Sequence, residues 1–317
     1  MTKSLVTGLA GQDGWYLARR LLALGHDVIG TTHRPEAAGT IDIEGRAVPV
    51  HHLDLGDLAQ VEAIVRTHRP DELYNLAARA SSAQLFDDPL ATLEINGVAV
   101  ARLLEAIVRH SPATRLCQAS SAEIFIGAAV SPQDEATPRM PLNAYGAAKA
   151  LADHLIAAYR TRGVFACAAI LDPHESPRRP PHFLVRKVAQ AAARIAAGQE
   201  RELVIGDVSA VRDWGYAGDT VEAMRLALQH SEPGDYVIAT GEGHTVADVC
   251  EVAFAHVGLD WRAHVVTDPA LVRAPEGVPR IGSPARARAV LGWAPTLGFS
   301  DLVKHLVDSD RRLLGTE

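Results

Sequence analysis

Ser4-Leu5-Val6-Thr7-Gly8-Leu9-Ala10-Gly11-Gln12-Asp13-Gly14 reads as a β-strand, a glycine turn and the start of a helix. Ser4–Thr7 is a short β-prone run. From Gln12 to Leu24 an amphipathic pattern takes over, with Leu17, Leu21, Leu22 and Leu24 expected to face inward. Between them, Gly8-x-x-Gly11-x-x-Gly14 lets the backbone approach a ligand closely. A helix N-terminus at that point offers free N–H groups and the positive end of its dipole. Together these features suit the diphosphate of a dinucleotide, so Gly8, Gly11 and Gly14 are read as a cofactor turn.

Outward from this stretch, the first 171 residues alternate short β-like runs with helical patterns. Strands are expected at Val28–Thr31, Val48–Leu53, Glu72–Leu76, Arg115–Ala119 and Val164–Leu171. Helices are expected at Leu55–Thr67, Leu93–Arg109 and Ala144–Arg162. This alternation predicts an α/β fold, a Rossmann-type doubly wound parallel sheet covered on both faces. After Leu171 the character changes. His174-Glu175-Ser176-Pro177-Arg178-Arg179-Pro180-Pro181 looks too irregular for a sheet element. Helical patterns at Phe183–Gly198, Ala217–Gln229 and Val246–Val257 surround a strand at Leu203–Ile205. Residues 1–171 are thus expected to form the dinucleotide domain and 172–317 mainly a smaller substrate lobe, with a segment near 213–240 returning to the first.

The 317 residues carry 31 Lys and Arg against 38 Asp and Glu, a net charge of −7. That balance argues against nucleic acid or an anionic membrane as the main partner. Hydrophobic content of 48% fits an ordinary globular chain, and no apolar stretch reaches the length of a membrane span. Cys117, Cys167 and Cys250 lack metal or disulfide spacing, so buried thiols in a reducing cytoplasm and no metal are expected.

Strand two ends in Thr31-Thr32-His33-Arg34. It lacks the acidic residue that holds an unphosphorylated ribose, and Arg34 suits a 2′-phosphate, so NADP is preferred over NAD. Asp54-Leu55 follow strand three and suit the adenine amino group, although Asp54 equally reads as a helix cap. Leu76-Ala77-Ala78 end strand four in small residues that leave room for ribose and diphosphate. Ser120-Ser121-Ala122-Glu123 lies at the carboxyl end of the next strand, where open sheets bind ligands. Ser121 suits a hydrogen bond to a reacting hydroxyl, and Glu123 a proton transfer.

Tyr145 and Lys149 are one helical turn apart. A Tyr titrates near about 10, and a neighbouring ammonium is expected to favour its phenolate. A phenolate beside a nicotinamide is equipped to take a proton from a sugar hydroxyl while hydride leaves the same carbon. Lys187, Arg212 and Arg273 are candidate cations for a sugar diphosphate. Trp214, Trp261 and Trp293 are read as packing residues.

These motifs resemble the extended short-chain dehydrogenase/reductase superfamily, and within it the GDP-mannose 4,6-dehydratase family. The likeness rests on Thr7-Gly8-x-x-Gly11-Gln12-Asp13-Gly14, Gln118–Glu123, Tyr145–Lys149, His174–Arg179, Arg186-Lys187 and Arg212-Asp213-Trp214-Gly215. The resemblance implies an NADP site lined by Gly8–Asp13, Arg34, Asp54, Leu55, Leu76–Ala78, Tyr145, Lys149, His174 and Arg179. It implies Ser121, Glu123, Tyr145 and Lys149 as the catalytic set. Lys187, Arg212, Arg273 and Glu276 would meet a nucleotide sugar, with a GDP-hexose as substrate. It also implies pairing of subunits through two long helices, giving a homodimer or homotetramer.

The departures from the family pattern fall near the substrate. Ser121 replaces a Thr and Ala122 a Ser, Pro173 an Asn, Asn143-Ala144 a Ser-Pro pair, and Ala91 a Tyr. Arg79 and Ala80 stand where Gln and Ser are usual. Two other readings therefore stay open: an epimerase or 4-keto reductase on the same scaffold, and a non-catalytic NADP-binding regulator.

Overall fold

A computed structural model describes residues 1–80, 88–272 and 277–315. The chain begins β1 (Lys3–Thr7), α1 (Gln12–Ala23), β2 (Asp27–Thr32), β3 (Gly39–Ile43), β4 (Arg46–His52), α2 (Leu58–His68) and β5 (Glu72–Asn75). It continues through α3 (Pro89–Leu93), a π-helical turn at Glu94–Val98, α4 (Ala99–His110), β6 (Arg115–Ala119), α5 (Ala144–Arg160) and β7 (Ala166–Leu171). The remainder is β8 (His174–Glu175), α6 (Leu184–Ala196), β9 (Leu203–Ile205), β10 (Val211–Arg212), β11 (Gly215–Tyr216), α7 (Ala217–Gln229) and β12 (Asp235–Ile238). It ends with β13 (His244–Thr245), α8 (Val246–His256), β14 (Val265–Thr267), α9 (Ala285–Leu291) and α10 (Phe299–Leu314).

Eight strands form the main sheet in the order β12-β7-β6-β5-β1-β2-β4-β3. All its pairings are parallel except β3 with β4. Every residue of β7 is buried, as a central strand covered on both faces requires. One face packs on α1 and α7, where Leu17 and Leu21 meet Val221 and Met224 in a single apolar cluster. The other face packs on α2, α4 and α5 through Val61, Val65, Leu103, Leu104 and Ile156. Crossovers of this kind confirm the doubly wound Rossmann-type sheet. They also bring the carboxyl ends of β1, β5 and β6 side by side, where the glycine turn and the Ser120-Ser121 segment lie. A separate cluster joins α6, α8 and α10 through Val188, Ile195, Phe254, Leu306 and Val307. β12 pairs with β7, so the segment after α7 closes one edge of the main sheet.

The differences from expectation have local causes. Leu24 is 45% exposed because α1 ends at Ala23 and the chain turns away through Gly25 at φ 81°. α2 starts at Leu58 rather than Leu55. Its cap is Asp57, whose carboxylate accepts from the backbone N–H groups of Ala59 and Gln60, so Asp54 does not cap it. The hairpin strand β3 was unforeseen. His174-Glu175, expected to be irregular, forms a two-residue parallel bridge with Gly215-Tyr216.

Candidate active site

The turn after β1 is built by close backbone packing. Gly8 has φ 69°, a conformation that favours glycine. At Gly14 a Cβ would lie 2.5 Å from the Gly8 carbonyl oxygen and 2.6 Å from Leu9 Cα. Only glycine lets α1 start this close to the strand end. Gly11 is the N-cap of α1 and brings no side-chain acceptor to its first N–H groups. A diphosphate fits such an end, because uncapped donors and the helix dipole both favour an anion.

Around the turn, side chains form a fixed network. Gln12 Nε2 donates to the His174 carbonyl at 3.2 Å, and Ser176 Oγ donates to Gln12 Oε1 at 2.8 Å. His174 touches acceptors through both ring nitrogens: Nδ1 with the Asp172 carbonyl at 2.7 Å, Nε2 with Asp13 Oδ2 at 3.0 Å. Two acceptors call for two N–H groups, hence an imidazolium. Burial alone would lower the His174 pKa, but the Asp13 carboxylate outweighs it and the pKa is raised. Burial would raise Asp13, yet His174, Gln12 and Arg179 hold it down to about 2. Arg179 stacks over the Phe183 ring at 3.6 Å, and its Nε has no hydrogen-bond partner among the described residues. That nitrogen lies 3.6 Å from Glu175 Oε1 in an ion pair, and a guanidinium near the glycine turn fits a phosphorylated cofactor.

Arg34 is exposed just past β2 and makes no ion pair with another described residue. Asp54 is exposed and accepts from Gly56 N at 2.8 Å, while Leu55 is buried in the core. Thr7 Oγ1 accepts from the N–H groups of Leu76 and Ala77 at 3.1 Å each, tying the end of β5 to β1. Leu76, Ala77 and Ala78 stay partly exposed beside the turn.

At the end of β6, Ser121 caps a short 3-10 turn by accepting from Glu123 N at 3.2 Å. Its hydroxyl lies close enough to the Tyr145 phenol on α5 to draw the phenol's pKa down. Lys149 is 2% exposed and donates through Nζ to the Ala119 carbonyl at 2.6 Å. The electrostatics differ from expectation. Burial pushes Tyr145 up to about 12, the Ser121 hydrogen bond opposing it only in part. Burial pulls Lys149 down to about 8 against the charges of Asp153 and Asp13. In the protein alone, loss of solvation dominates and the phenol keeps its proton.

Three further residues were not foreseen. Asn143 caps α5 through Oδ1 to Gly146 N at 2.7 Å and donates from Nδ2 to Glu123 Oε2 at 2.8 Å. The position just before the helix was a readable cap signal. Asp153 extends the Tyr145–Lys149 row by one more turn and accepts from Ser120 Oγ at 2.9 Å. Arg280 donates to Glu123 Oε1 at 2.5 Å from a segment 157 residues away, a contact without sequence signal.

Lys187 is exposed on α6 and donates to the Val204 carbonyl at 2.7 Å. It lines a cleft of about 480 Å³ with His182, Gln190, Arg194 and Glu202. Arg212 lies on β10, in a backbone bridge with Arg280. Arg273 and Glu276 lie outside the described residues. Trp214 and Trp293 are buried as packing residues. Among the described residues there is no group of side chains suited to a metal, and no helix is long and apolar enough to cross a membrane.

The model of the GDP-mannose 4,6 dehydratase family matches residues 5–306. GDP-mannose 4,6 dehydratase 2 of Arabidopsis thaliana is 40% identical, over 99% of this chain and 88% of that protein. The GDP-mannose 4,6 dehydratase of Homo sapiens is 36% identical, over 99% and 92%. Among solved structures, a UDP-glucose 4-epimerase of Thermus thermophilus in complex with NAD superposes with a TM-score of 0.82 at 30% identity, covering 98% of this chain and 99% of that one. The epimerase shares the scaffold at a lower sequence identity than these two dehydratases. With the glycine turn, Ser121, Glu123, Tyr145 and Lys149 gathered at the carboxyl edge of one parallel sheet, the chain belongs to the GDP-mannose 4,6 dehydratase family.

Proposed function

We propose that the chain is a nucleotide-sugar 4,6-dehydratase that converts GDP-mannose to GDP-4-keto-6-deoxymannose with NADP as its resident cofactor. The observation that carries this reading is the union of Ser121, Tyr145 and Glu123 at the end of β6, beside the uncapped helix α1.

Gly8, Gly11, Gln12, Asp13 and Gly14 would hold the cofactor's diphosphate, with Leu76–Ala78, His174 and Arg179 completing the wall. Arg34 would meet the 2′-phosphate and Asp54-Leu55 the adenine. When bound, the nicotinamide supplies the place where the C4 hydride is held before its return to C6. Tyr145 takes the C4 hydroxyl proton, with Ser121 hydrogen-bonded to the same oxygen. Lys149 compensates the phenolate charge in a pocket where burial otherwise keeps the phenol neutral. Glu123 removes the C5 proton acidified by the new ketone and protonates the C6 hydroxyl as it leaves as water. As hydride returns to C6, Glu123 passes a solvent-derived proton to C5, and Tyr145 releases to solvent the proton it took from the C4 hydroxyl. Lys187, Arg212 and Arg273 would grip the nucleotide diphosphate, and Glu276 would meet another part of the nucleotide sugar. The neighbouring cleft of about 480 Å³ has room for part of a nucleotide.

The test is incubation with GDP-mannose and no added reductant. A product lighter by one water supports the dehydratase. An isomer of unchanged mass identifies an epimerase. No reaction until a keto sugar and NADPH are supplied identifies a reductase. A regulator turns over none of these.

We also infer a cytosolic enzyme with three buried free thiols. Its main domain would comprise residues 1–171 with the segment near 213–240, its substrate lobe the rest of 172–317. It would pair through the helical stretches 93–109 and 144–162, where Val98 in the π-helical turn before α4 and Leu151 on α5 are exposed. Light scattering of a Leu151→Glu variant tests that pairing.

A further inference from the structure

Both oxygens of the Glu123 carboxylate are engaged, Oε2 by Asn143 Nδ2 at 2.8 Å and Oε1 by Arg280 Nη1 at 2.5 Å. Each donor is itself held in place. Asn143 spends Oδ1 on capping α5, which fixes the amide plane and aims Nδ2 at Glu123. Arg280 stands on a backbone fastened from two sides. Gln133 N donates to the Ile281 carbonyl, Ser283 N to the Gln133 carbonyl, and Gln133 Nε2 to the Pro279 carbonyl. On the other side Arg280 and Arg212 form a parallel bridge. The Arg280 side chain is only 13% exposed. A helix cap and a pinned guanidinium thus converge on one carboxylate from opposite ends of the chain.

We propose that Arg280, seconded by Asn143, is a positioning residue that aims Glu123 for the C5 proton-transfer half of the reaction and leaves the hydride half nearly untouched. The inference rests on the dehydratase reading above. In that half the C5–H bond breaks and its proton passes to a Glu123 oxygen. The electron pair moves toward C4, giving an enolate. The enolate then expels the C6 hydroxyl, which departs as water with the proton returned by Glu123. One carboxylate must therefore reach two adjacent carbons in turn, so its orientation governs both transfers. Misplacing a reacting group by about 1 Å costs about 10²-fold. Tyr145 and Ser121 are held instead by α5 and the end of β6, so hydride transfer does not depend on Arg280.

The test compares wild-type holoenzyme with Arg280→Met, Arg280→Lys and Asn143→Ser. The hydride half is read from reduced-nicotinamide absorbance on rapid mixing with GDP-mannose. The proton half is read from deuterium uptake at C5 of GDP-4-keto-6-deoxymannose in heavy water. Arg280→Met is expected to slow C5 exchange and turnover together by about 10²-fold, with KM and the hydride signal within about threefold of wild type. Arg280→Lys, which keeps the charge, should recover about tenfold of that loss. Asn143→Ser keeps an oxygen cap for α5 but drops the second donor, and should slow exchange by about tenfold.

Unchanged C5 exchange in Arg280→Met overturns the proposal, and so does an equal loss in both halves with a raised KM, which would make Arg280 a substrate contact. If Arg280→Met fails to fold in a thermal melt, Arg280→Lys and Asn143→Ser decide: slowed exchange with intact hydride transfer supports the proposal, and wild-type exchange in both overturns it. A wild-type enzyme that releases no water from GDP-mannose overturns the dehydratase reading instead.

Discussion

Lys149 Nζ lies 5.6 Å from the centroid of the Tyr145 ring and donates to the Ala119 carbonyl at 2.6 Å. The amine and the phenol share a helix face, yet the group that draws the phenol's pKa down most is the Ser121 hydroxyl. Burial is the largest influence on the phenol and outweighs that draw. With Tyr145 pushed up to about 12 and Lys149 down to about 8, the cavity needs a further positive group before a phenolate can persist. An oxidised nicotinamide carries that charge. Tyr145→Phe should therefore cut turnover by at least about 10³-fold, since it removes the proton acceptor outright. NADP affinity, set largely at the glycine turn, should stay within about threefold. Product mass and calorimetric titration of NADP check the two halves, and undiminished turnover would remove the phenol from the chemistry.

Asp153 gives a stability prediction. Burial raises its carboxyl from an ordinary 3.8 to about 6, against the Ser120 hydrogen bond and the Arg139 charge. The native state then holds a proton that the unfolded chain releases between those values. Stability contributed by this group is present below about pH 4 and is lost as pH rises through about 6, on the order of 3 kcal/mol. Asp153→Asn keeps an acceptor for Ser120 and has no charge to desolvate. Between about pH 4 and pH 7 the variant should lose less stability than wild type by about 1–3 kcal/mol in urea unfolding. Parallel curves for the two proteins would refute the assignment.

The parts of this site legible in sequence were those carried by local order. Ser4–Thr7, the glycine spacing, Arg115–Ala119 and Ala217–Gln229 each follow from short-range pattern, and the structure forms these elements. Contacts between distant segments were not legible. Arg280 reaches Glu123 through a backbone bridge, and nothing in the composition of its loop announces that. His174 was read as an irregular-loop residue because a two-residue bridge leaves no periodicity to detect. The direction of the Tyr145 pKa was missed for a physical reason. Spacing on a helix reveals the neighbouring charge but not the solvent excluded by the surrounding fold.

The His174–Asp13 pair should make cofactor retention depend on pH. His174 is raised by its carboxylate partner, so its contribution is fully present below 6.5 and is lost as pH rises through the raised value. Asp13 contributes above 3.8, losing that contribution as pH falls toward about 2. The pair is thus intact from about pH 4 up to the raised His174 value. His174→Gln should weaken NADP retention by about tenfold near neutrality, one charge-assisted hydrogen bond being lost. Wild type should approach the variant as pH rises through the raised His174 value and the imidazolium discharges. The fraction of NADP surviving gel filtration at each pH checks both statements.

Arg34 is exposed past the end of β2, where no acidic residue stands in its place. Arg34→Ala should weaken NADP by about 10–100-fold, the value of a charge-assisted phosphate contact, and leave NAD within about threefold. Titration with both dinucleotides measures the ratio. Equal losses for the two would place the 2′-phosphate elsewhere.

The glycine turn allows packing and ligand roles to be separated. A Cβ on Gly14 meets only backbone, at 2.5 to 2.7 Å, so neither neighbour can rotate away. Gly14→Ala should cost about 1–3 kcal/mol of stability and displace the start of α1, with loss of NADP binding as a consequence. At Gly11 a Cβ meets just the Gly8 carbonyl oxygen, at 3.2 Å, and φ is −70°. Gly11→Ala should therefore leave the fold within about 1 kcal/mol of wild type. Its methyl nevertheless stands at the uncapped first turn of α1, so NADP affinity should still fall by about tenfold or more. Urea unfolding and NADP titration of the two variants form the check. A Gly11→Ala protein that binds NADP normally would show that the diphosphate does not lie against this helix end.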